Sequence, residues 1–410
     1  MQLPYGKTSI SFDFDQPPVV LTPAEPQPAA DEGRFRQDLD AFFNAQTPDL
    51  KNPVVVVGDK TRLCGYPRFL PVLLGALTDW GAAPEAIRLM IAYGTHAAQS
   101  EAESRQAYGD AFARHTWVPH RCDDPALFTD LGRTRRGTPV RLRADLLEAG
   151  FVATFGAICH HYFAGYGGGR KLIFPGLGEK QAVYANHGLF LDRAGRCLAA
   201  GCQPGRLLGN PLAEDLEDYA AHRPADLAVH GLLDSHGQVC DLLVGRGSDH
   251  FLQACRRHAQ CFETAAAGPF DCVLASCGGH PKDINFIQSH KALHHAAAFV
   301  RDGGQLILLA RCPDGVGSGT FLPWFGPGGW DAAFDRLARD YVGNGGTALA
   351  MMAKSARISI ALVTELDQSV TDTIGCKRIS ADQAREIAAG CGGSLAVIPN
   401  AGMLVRAAKV

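Results

Sequence analysis

Several short stretches of this chain carry side chains suited to moving protons and meeting a ligand. His160 and His161 stand side by side, and a glycine cluster, Gly165 and Gly167–Gly169, follows them. Arg170 and Lys171 come directly after the cluster, and His187 lies sixteen residues beyond Lys171. Glycines let backbone approach a ligand closely and can turn amide N–H groups toward an anion. Imidazole exchanges protons near neutral pH, and its neutral nitrogen binds divalent metals. Two further polar clusters are Gly58-Asp59-Lys60-Thr61-Arg62 and Gly94-Thr95-His96. Each residue also has an ordinary use: a glycine cluster can be a plain turn, and a histidine a satisfied structural residue. Spacing alone leaves both uses open. Neither the ten residues from His161 to Lys171 nor the sixteen from Lys171 to His187 form a local helical metal motif.

The elements that would position these groups are legible as apolar runs. Pro53–Val57, Arg88–Tyr93 and Phe151–Ile158 predict buried strands, with Phe69–Trp80 as a helix after the first. Asp59/Arg62, His96 and His160/His161 would then all follow the carboxyl ends of strands. Open parallel α/β sheets bind ligands at that edge. Farther along, Asp271–Ser276 predicts a strand ending in Cys277-Gly278-Gly279-His280-Pro281, then a helix from about Asp283. Gln288 and Lys291 lie three apart on that helix and hence on one face. Taken alone they pass as ordinary solvated residues. His290 and His294 are spaced i, i+4, but the glutamate of H-E-x-x-H is missing, so they are read with His295 as structural or surface.

The remaining pattern is consistent with a mainly parallel α/β protein of two domains. The N-terminal fifteen residues read as a first strand, residues 16–32 as a surface connection and Arg34–Phe43 as a short helix. Asn210-Pro211 signals a turn before an acidic helix start. Leu227–Leu243 reads as a hairpin turning at Ser235-His236-Gly237, and Asp249–Thr264 as a helix leading to a hinge at Ala265–Gly268. Gly303–Leu309 and Arg357–Val363 read as strands, Ser380–Ala389 as an N-capped helix, and Cys391–Val410 as a last strand and tail. The expected division is residues 1–248, a helix and hinge at 249–267, and 268–410, with the active site in the cleft between the two domains. A chain of 410 residues is too long for one ordinary core.

The motif H-x-F-A-G-x-x-G-G-R-K-x-x-x-P-G, running from His161 to Gly176, with its downstream His187, resembles the nickel-dependent lactate racemase (LarA) family. G-D-K-T-R and G-T-H resemble two further family motifs. G-G-x-P-x-D-x-N-x-x-Q-x-x-K, from Gly278 to Lys291, resembles that family's second-domain motif. The resemblance implies a racemase or epimerase of a 2-hydroxy acid. It implies a nickel-pincer nucleotide (a pyridinium-3-thioamide-5-thiocarboxylic acid mononucleotide) joined to Lys171, with Ni(II) completed by His187. His96 and His161 would be the catalytic acid/base pair, and Arg62, Gln288 and Lys291 would bind substrate. Asp59, Thr61, Gly168 and Gly169 would line the cofactor site. Hydride would pass from C2 to the cofactor and back, through a 2-keto acid. Proteins that make and load the cofactor are implied partners. Two departures bear on the substrate: Leu63-Cys64 and Ala97-Ala98 stand where the family commonly carries Pro and Arg-Pro.

Composition narrows the alternatives. A content of 46% hydrophobic and 20% charged residues suits a globular chain, and a net charge of −3 without a basic run gives no reason for nucleic-acid binding. The thirteen cysteines are odd in number and show no C-x-x-C pairing, which does not suit a disulfide framework. No apolar run approaches the ~18 residues of a membrane span, and the N-terminus does not read as a targeting segment. The expectation is a soluble cytoplasmic enzyme with no membrane partner. Two rival readings are a zinc-dependent hydrolase using the histidine-rich loops and a cofactor-binding protein without turnover.

Overall fold

The computed structural model describes residues 1–265 and 268–407. Two positions of the expected hinge, 266 and 267, lie outside the described residues, as do the last three of the tail. The chain forms two compact units, one of Glu25–Leu189 and Gly201–Cys261, the other of Met1–Ala24, Phe190–Ala200 and Phe262–Val410. Both are α/β, with sheets that are mainly parallel.

In the first unit the six strands run in the order Val239–Gly245, Leu227–Leu233, Val152–Ala157, Val54–Gly58, Arg88–Ala92, Thr116–Val118. Only the Val239–Gly245 pairing is antiparallel, closing the expected hairpin. Val54–Gly58 has no exposed residue because layers cover both faces of the sheet, as a run of four valines requires. Val57 is level with Ile91 on one side and Phe155 on the other. The chain therefore leaves three strands at one edge, and delivers Asp59, the 94–96 turn and the 159–161 segment there.

That edge is pinned by two buried tyrosines. Tyr66, at the start of the helix Tyr66–Asp79, accepts from Gly58 N at 2.7 Å and donates to Phe155 O at 3.0 Å. Tyr108 donates to Gly58 O at 2.9 Å. Both rings are fully buried, so the hydroxyls satisfy backbone groups that water cannot reach. The strand before the histidines is shorter than expected. It ends at Ala157, and Cys159–His161 opens a separate antiparallel pair with Gly165–Gly167. The turn back is made at Gly165, at φ +76°, where an added Cβ would lie 2.2 Å from Arg206 O.

In the second unit the six-stranded sheet is wholly parallel, in the order Lys377–Ile379, Ser359–Val363, Val300–Leu309, Phe270–Ser276, Leu395–Ile398, Val19–Val20. The pairing of Val19–Val20 with Leu395–Ile398 explains why the first residues group with the C-terminal part. The expected single N-terminal strand is a hairpin, Gln2–Tyr5 with Thr8–Ser11, whose Gly6 N donates to the buried Asp283 at 2.7 Å. Helix Ala381–Ala389 opens with a complete Ser380/Gln383 capping box. Helices Glu101–Tyr108, Lys180–Gly188, Gly329–Arg339 and Gly345–Arg357 are additions to the sequence reading. All thirteen cysteines are free thiols, and among the described residues no helix is long and apolar enough to cross a membrane.

Tyr66→Phe should orphan the Gly58 N–H and the Phe155 carbonyl. At about 1–3 kcal/mol for each buried unsatisfied group, unfolding should become easier by about 2–6 kcal/mol. Urea denaturation measures it, and an unchanged midpoint would refute the pinning role.

Candidate active site

Asp59 follows the strand Val54–Gly58 and is 5% exposed. Its Oδ1 accepts from Thr61 N at 2.8 Å and Thr61 Oγ1 at 2.6 Å, and its Oδ2 meets His96 Nδ1 at 2.9 Å. Burial alone would raise this carboxyl, but the hydrogen bonds from His96 and Thr61 outweigh it and hold it at about 2. A carboxylate at Nδ1 keeps the proton there and leaves Nε2 as the basic nitrogen. The His96 side chain is 60% exposed, so that nitrogen can reach a ligand. The sequence assigned Asp59 and Thr61 to the cofactor; in the structure both carboxylate oxygens are already engaged by Thr61 and His96. Arg62 is exposed and donates from Nη1 to Thr61 O and Oγ1.

A second group is gathered around one aromatic ring, Phe163. His161 packs against its edge at 4.5 Å between centroids and 80°, and His187 does so at 5.1 Å and 74°. Lys171 Nζ lies 5.9 Å from the same centroid. His161 Nδ1 accepts from Ala164 N at 3.2 Å, which places the proton of the neutral ring on Nε2. Lys171 sits in the short turn Gly169–Leu172. Gly168 (φ +77°) and Gly169 (φ +53°) enter that turn so tightly that a Cβ would meet Ala157 O at 2.3 Å or the Phe251 ring at 2.5 Å. Backbone economy here serves burial. Desolvation, with the charges of Arg170 and Arg62, brings the Lys171 amine down to about 7. An amine that is substantially neutral near pH 7 is a nucleophile.

His187 lies in the last turn of helix Lys180–Gly188. Burial, then the charge of Lys171 and that of His96, pulls its pKa down to about 4, against the opposing bond to Val183. Nδ1 lies 2.7 Å from Val183 O, so the neutral ring donates there and its lone pair is on Nε2. That is the donor set a metal asks of an imidazole, with the second nitrogen fixed by a carbonyl. The residues fit a group that acylates Lys171 and takes one neutral nitrogen. By contrast, a zinc hydrolase needs three protein ligands. Among the described residues no group of three or more His, Cys, Asp or Glu could hold a metal ion.

Gln288 and Lys291 belong to the other unit, on helix Phe286–Ala297, and share one face as expected: Lys291 Nζ donates to Gln288 Oε1 at 2.8 Å. His290 and His295 are buried on that helix and His294 is partly buried, consistent with the structural reading. Three features of the site escaped the sequence reading. Phe163 was visible in the motif but carried no assigned role. Helix Lys180–Gly188, which carries His187, has too weak an amphipathic pattern to be seen. His120 is buried, and its pKa is taken down to about 4 by burial and by Arg143, against the opposing influence of the Gly94 and Gly178 backbone. It therefore packs beside the turn that carries His96.

The chain resembles known proteins in sequence and in fold. Residues 5–197 match the profile "Lactate racemase N-terminal domain", and residues 265–328 match "Lactate racemase C-terminal domain". A lactate racemase of Thermoanaerobacterium thermosaccharolyticum is 27% identical over 339 residues, covering 79% of this chain and 77% of that protein. One from Lactiplantibacillus plantarum is 29% identical over 279 residues, covering 66% of this chain and 62% of that protein. Among solved structures, the lactate racemase apoprotein from T. thermosaccharolyticum superposes with a TM-score of 0.88 at 22% identity, over the whole of both chains. A Thermotoga maritima protein superposes at 0.68 and 16% identity, covering 94% of this chain and all of that one. At these identities the superpositions speak for the fold.

The Asp59 bond has a pH signature. Its carboxyl titrates lower in the fold than its ordinary 3.8. Its contribution is therefore in place above about pH 4 and is lost as pH falls through about 2. The stability advantage over Asp59→Asn should be about 2 kcal/mol at pH 7 and roughly half that at pH 3. Urea unfolding of both proteins at the two pH values tests this, and a pH-independent difference contradicts it.

Proposed function

This chain belongs to the lactate racemase (LarA) family, and from that premise we propose the reaction its site carries out. The protein is an isomerase, a racemase. The proposed substrate is a 2-hydroxy acid, lactate or a close relative, and the proposed cofactor is a nickel-pincer nucleotide carried on Lys171. The observation that carries this reading is the grouping of a buried, pKa-lowered amine and two imidazoles around the Phe163 ring.

Lys171 would hold the nucleotide through a thioamide, and His187 Nε2 would complete the Ni(II) coordination, for which a neutral nitrogen beside sulfur donors is well matched. When bound, the nucleotide supplies a carbon that accepts hydride from C2 and returns it, taking the substrate through a planar 2-keto acid. The chain's own residues handle the hydroxyl proton and the carboxylate. His96, with Nδ1–H given to Asp59, presents a basic Nε2 that takes the proton from one enantiomer. His161 would return a proton from Nε2 to the oxygen for the other as the imidazolium, in which the Ala164 N–H that meets Nδ1 of the neutral ring is displaced. The reverse direction exchanges their roles, as a racemase requires. Arg62 offers the carboxylate a planar fork. Gln288 and Lys291 complete the proposed substrate-binding set, and Thr61, Gly168 and Gly169 with Asp59 the proposed cofactor-binding set.

Three experiments test the reading. Holo-protein should carry a mass adduct on the peptide containing Lys171, absent in Lys171→Ala. His187→Ala should lose nickel, while His96→Ala and His161→Ala keep it and lose about 10²-fold or more in rate, the scale of one general acid/base. Fully active protein with an unmodified Lys171 would sink the proposal. Substrate deuterated at C2 should retain its label through inversion in H₂O, as chiral separation and mass spectrometry would report. Stoichiometric C2 labelling from D₂O in a single turnover would show proton abstraction instead.

A further inference from the structure

A buried carboxylate lies behind the helix that carries His187. Asp215, on helix Pro211–Ala220, is 1% exposed, yet its oxygens meet three neutral donors and no cation. Oδ1 accepts from Thr134 Oγ1 at 2.5 Å, and Oδ2 from Thr138 Oγ1 at 2.6 Å and Asn186 Nδ2 at 2.8 Å. The nearby arginines are committed elsewhere, Arg135 to Asp218 and Arg136 to Glu214. Removing a carboxylate from water is costly, and hydrogen bonds from neutral groups offset only part of that cost. A carboxylate in such a place is a poor source of stability and a good fixer of geometry, because it binds only where all its donors converge.

Those donors come from two other elements. Thr134 and Thr138 flank the turn of the hairpin Phe128–Arg133 and Pro139–Arg143, and Thr138 N also donates to Thr134 Oγ1 at 3.0 Å. Asn186 lies in helix Lys180–Gly188, is fully buried, and directly precedes His187. Its Nδ2 donates to Asp215 and, at 3.4 Å, to Leu212 O, whereas its Oδ1 is buried without a hydrogen-bond partner. The side chain is thus used for its two N–H donors alone, and an orphaned acceptor is tolerated to keep them. No apolar or acidic residue of this size supplies that pair of donors.

We propose that Asn186 and Asp215 are positioning residues for His187: together they lock the last turn of its helix to the hairpin and to helix Pro211–Ala220, and so hold the imidazole beside Phe163 and Lys171. The bond from His187 Nδ1 to Val183 O sets the ring within its own helix, and the Asn186–Asp215 bond sets that helix within the unit. The proposal rests on the reading of His187 as a metal ligand.

The test compares wild type with Asn186→Ala and with Leu216→Ala. The latter removes a fully buried side chain of the same neighbouring helix without touching the network. In cofactor-free protein, hydrogen–deuterium exchange of the amides in residues 180–189 should quicken roughly tenfold or more in Asn186→Ala. Leu216→Ala should leave those amides near the wild-type rate at a matched distance below its melting temperature. In protein co-produced with the proteins that make and load the cofactor, nickel should leave Asn186→Ala faster on dialysis, with a changed visible absorption spectrum. Leu216→Ala should keep both wild-type behaviours. Wild-type exchange in Asn186→Ala, or quickened exchange with nickel held as in wild type, overturns the proposal. Wild-type protein that takes up no nickel when loaded overturns instead the reading of His187 on which it rests.

Discussion

The chemistry proposed for this chain depends on holding a primary amine where water is scarce. Desolvation disfavours the ammonium form, and the neighbouring Arg170 and Arg62 add repulsion, so Lys171 is brought to about 7. Each local feature around it serves that end. Gly168 and Gly169 let the turn fold flat under the Ala157 carbonyl and the Phe251 ring. The amine stands over the Phe163 ring. An amine carried as a thioamide would have no charge to desolvate, so the same burial that makes Lys171 nucleophilic would favour the linked form.

Burial also divides the labour among the histidines. His187 shares the desolvated environment of Lys171, and its pKa of about 4 keeps it a neutral donor. His96 is mostly exposed and is held through Nδ1 by the Asp59 carboxylate, which leaves Nε2 facing outward. One residue type could thus serve the two kinds of chemistry proposed for it because the fold gives it two dielectric environments. Both environments depend on the strand ends that Tyr66 and Tyr108 pin in place.

Much of this was legible in the chain. The four valines of residues 54–57 have no polar face to alternate with, so they had to be an interior parallel strand, and the polar residues after them had to lie at its edge. The lysine after the glycine cluster was visible for the same reason: only glycine fits the turn that delivers it. Gln288 and Lys291 fell on one helical face because three residues is close to one turn.

Sequence by itself therefore determined the fold class and the strands that carry the proposed site, and offered the side chains to which the acid/base and amine roles are proposed. These follow from local pattern and motif. Only the tertiary structure decided the environment of each group. That Asp59 serves His96, that Phe163 gathers two histidines and a lysine, and that Asn186 ties the helix of His187 to a buried carboxylate are contacts between residues far apart in sequence, up to 37 positions for the His96 pair. Burial and hydrogen bonding set pKa and tautomer, and both arise only when distant segments pack together. The same logic moved the first 24 residues into the C-terminal unit: a two-residue strand has no periodicity to read, and its place was fixed by the edge of the sheet that it completes.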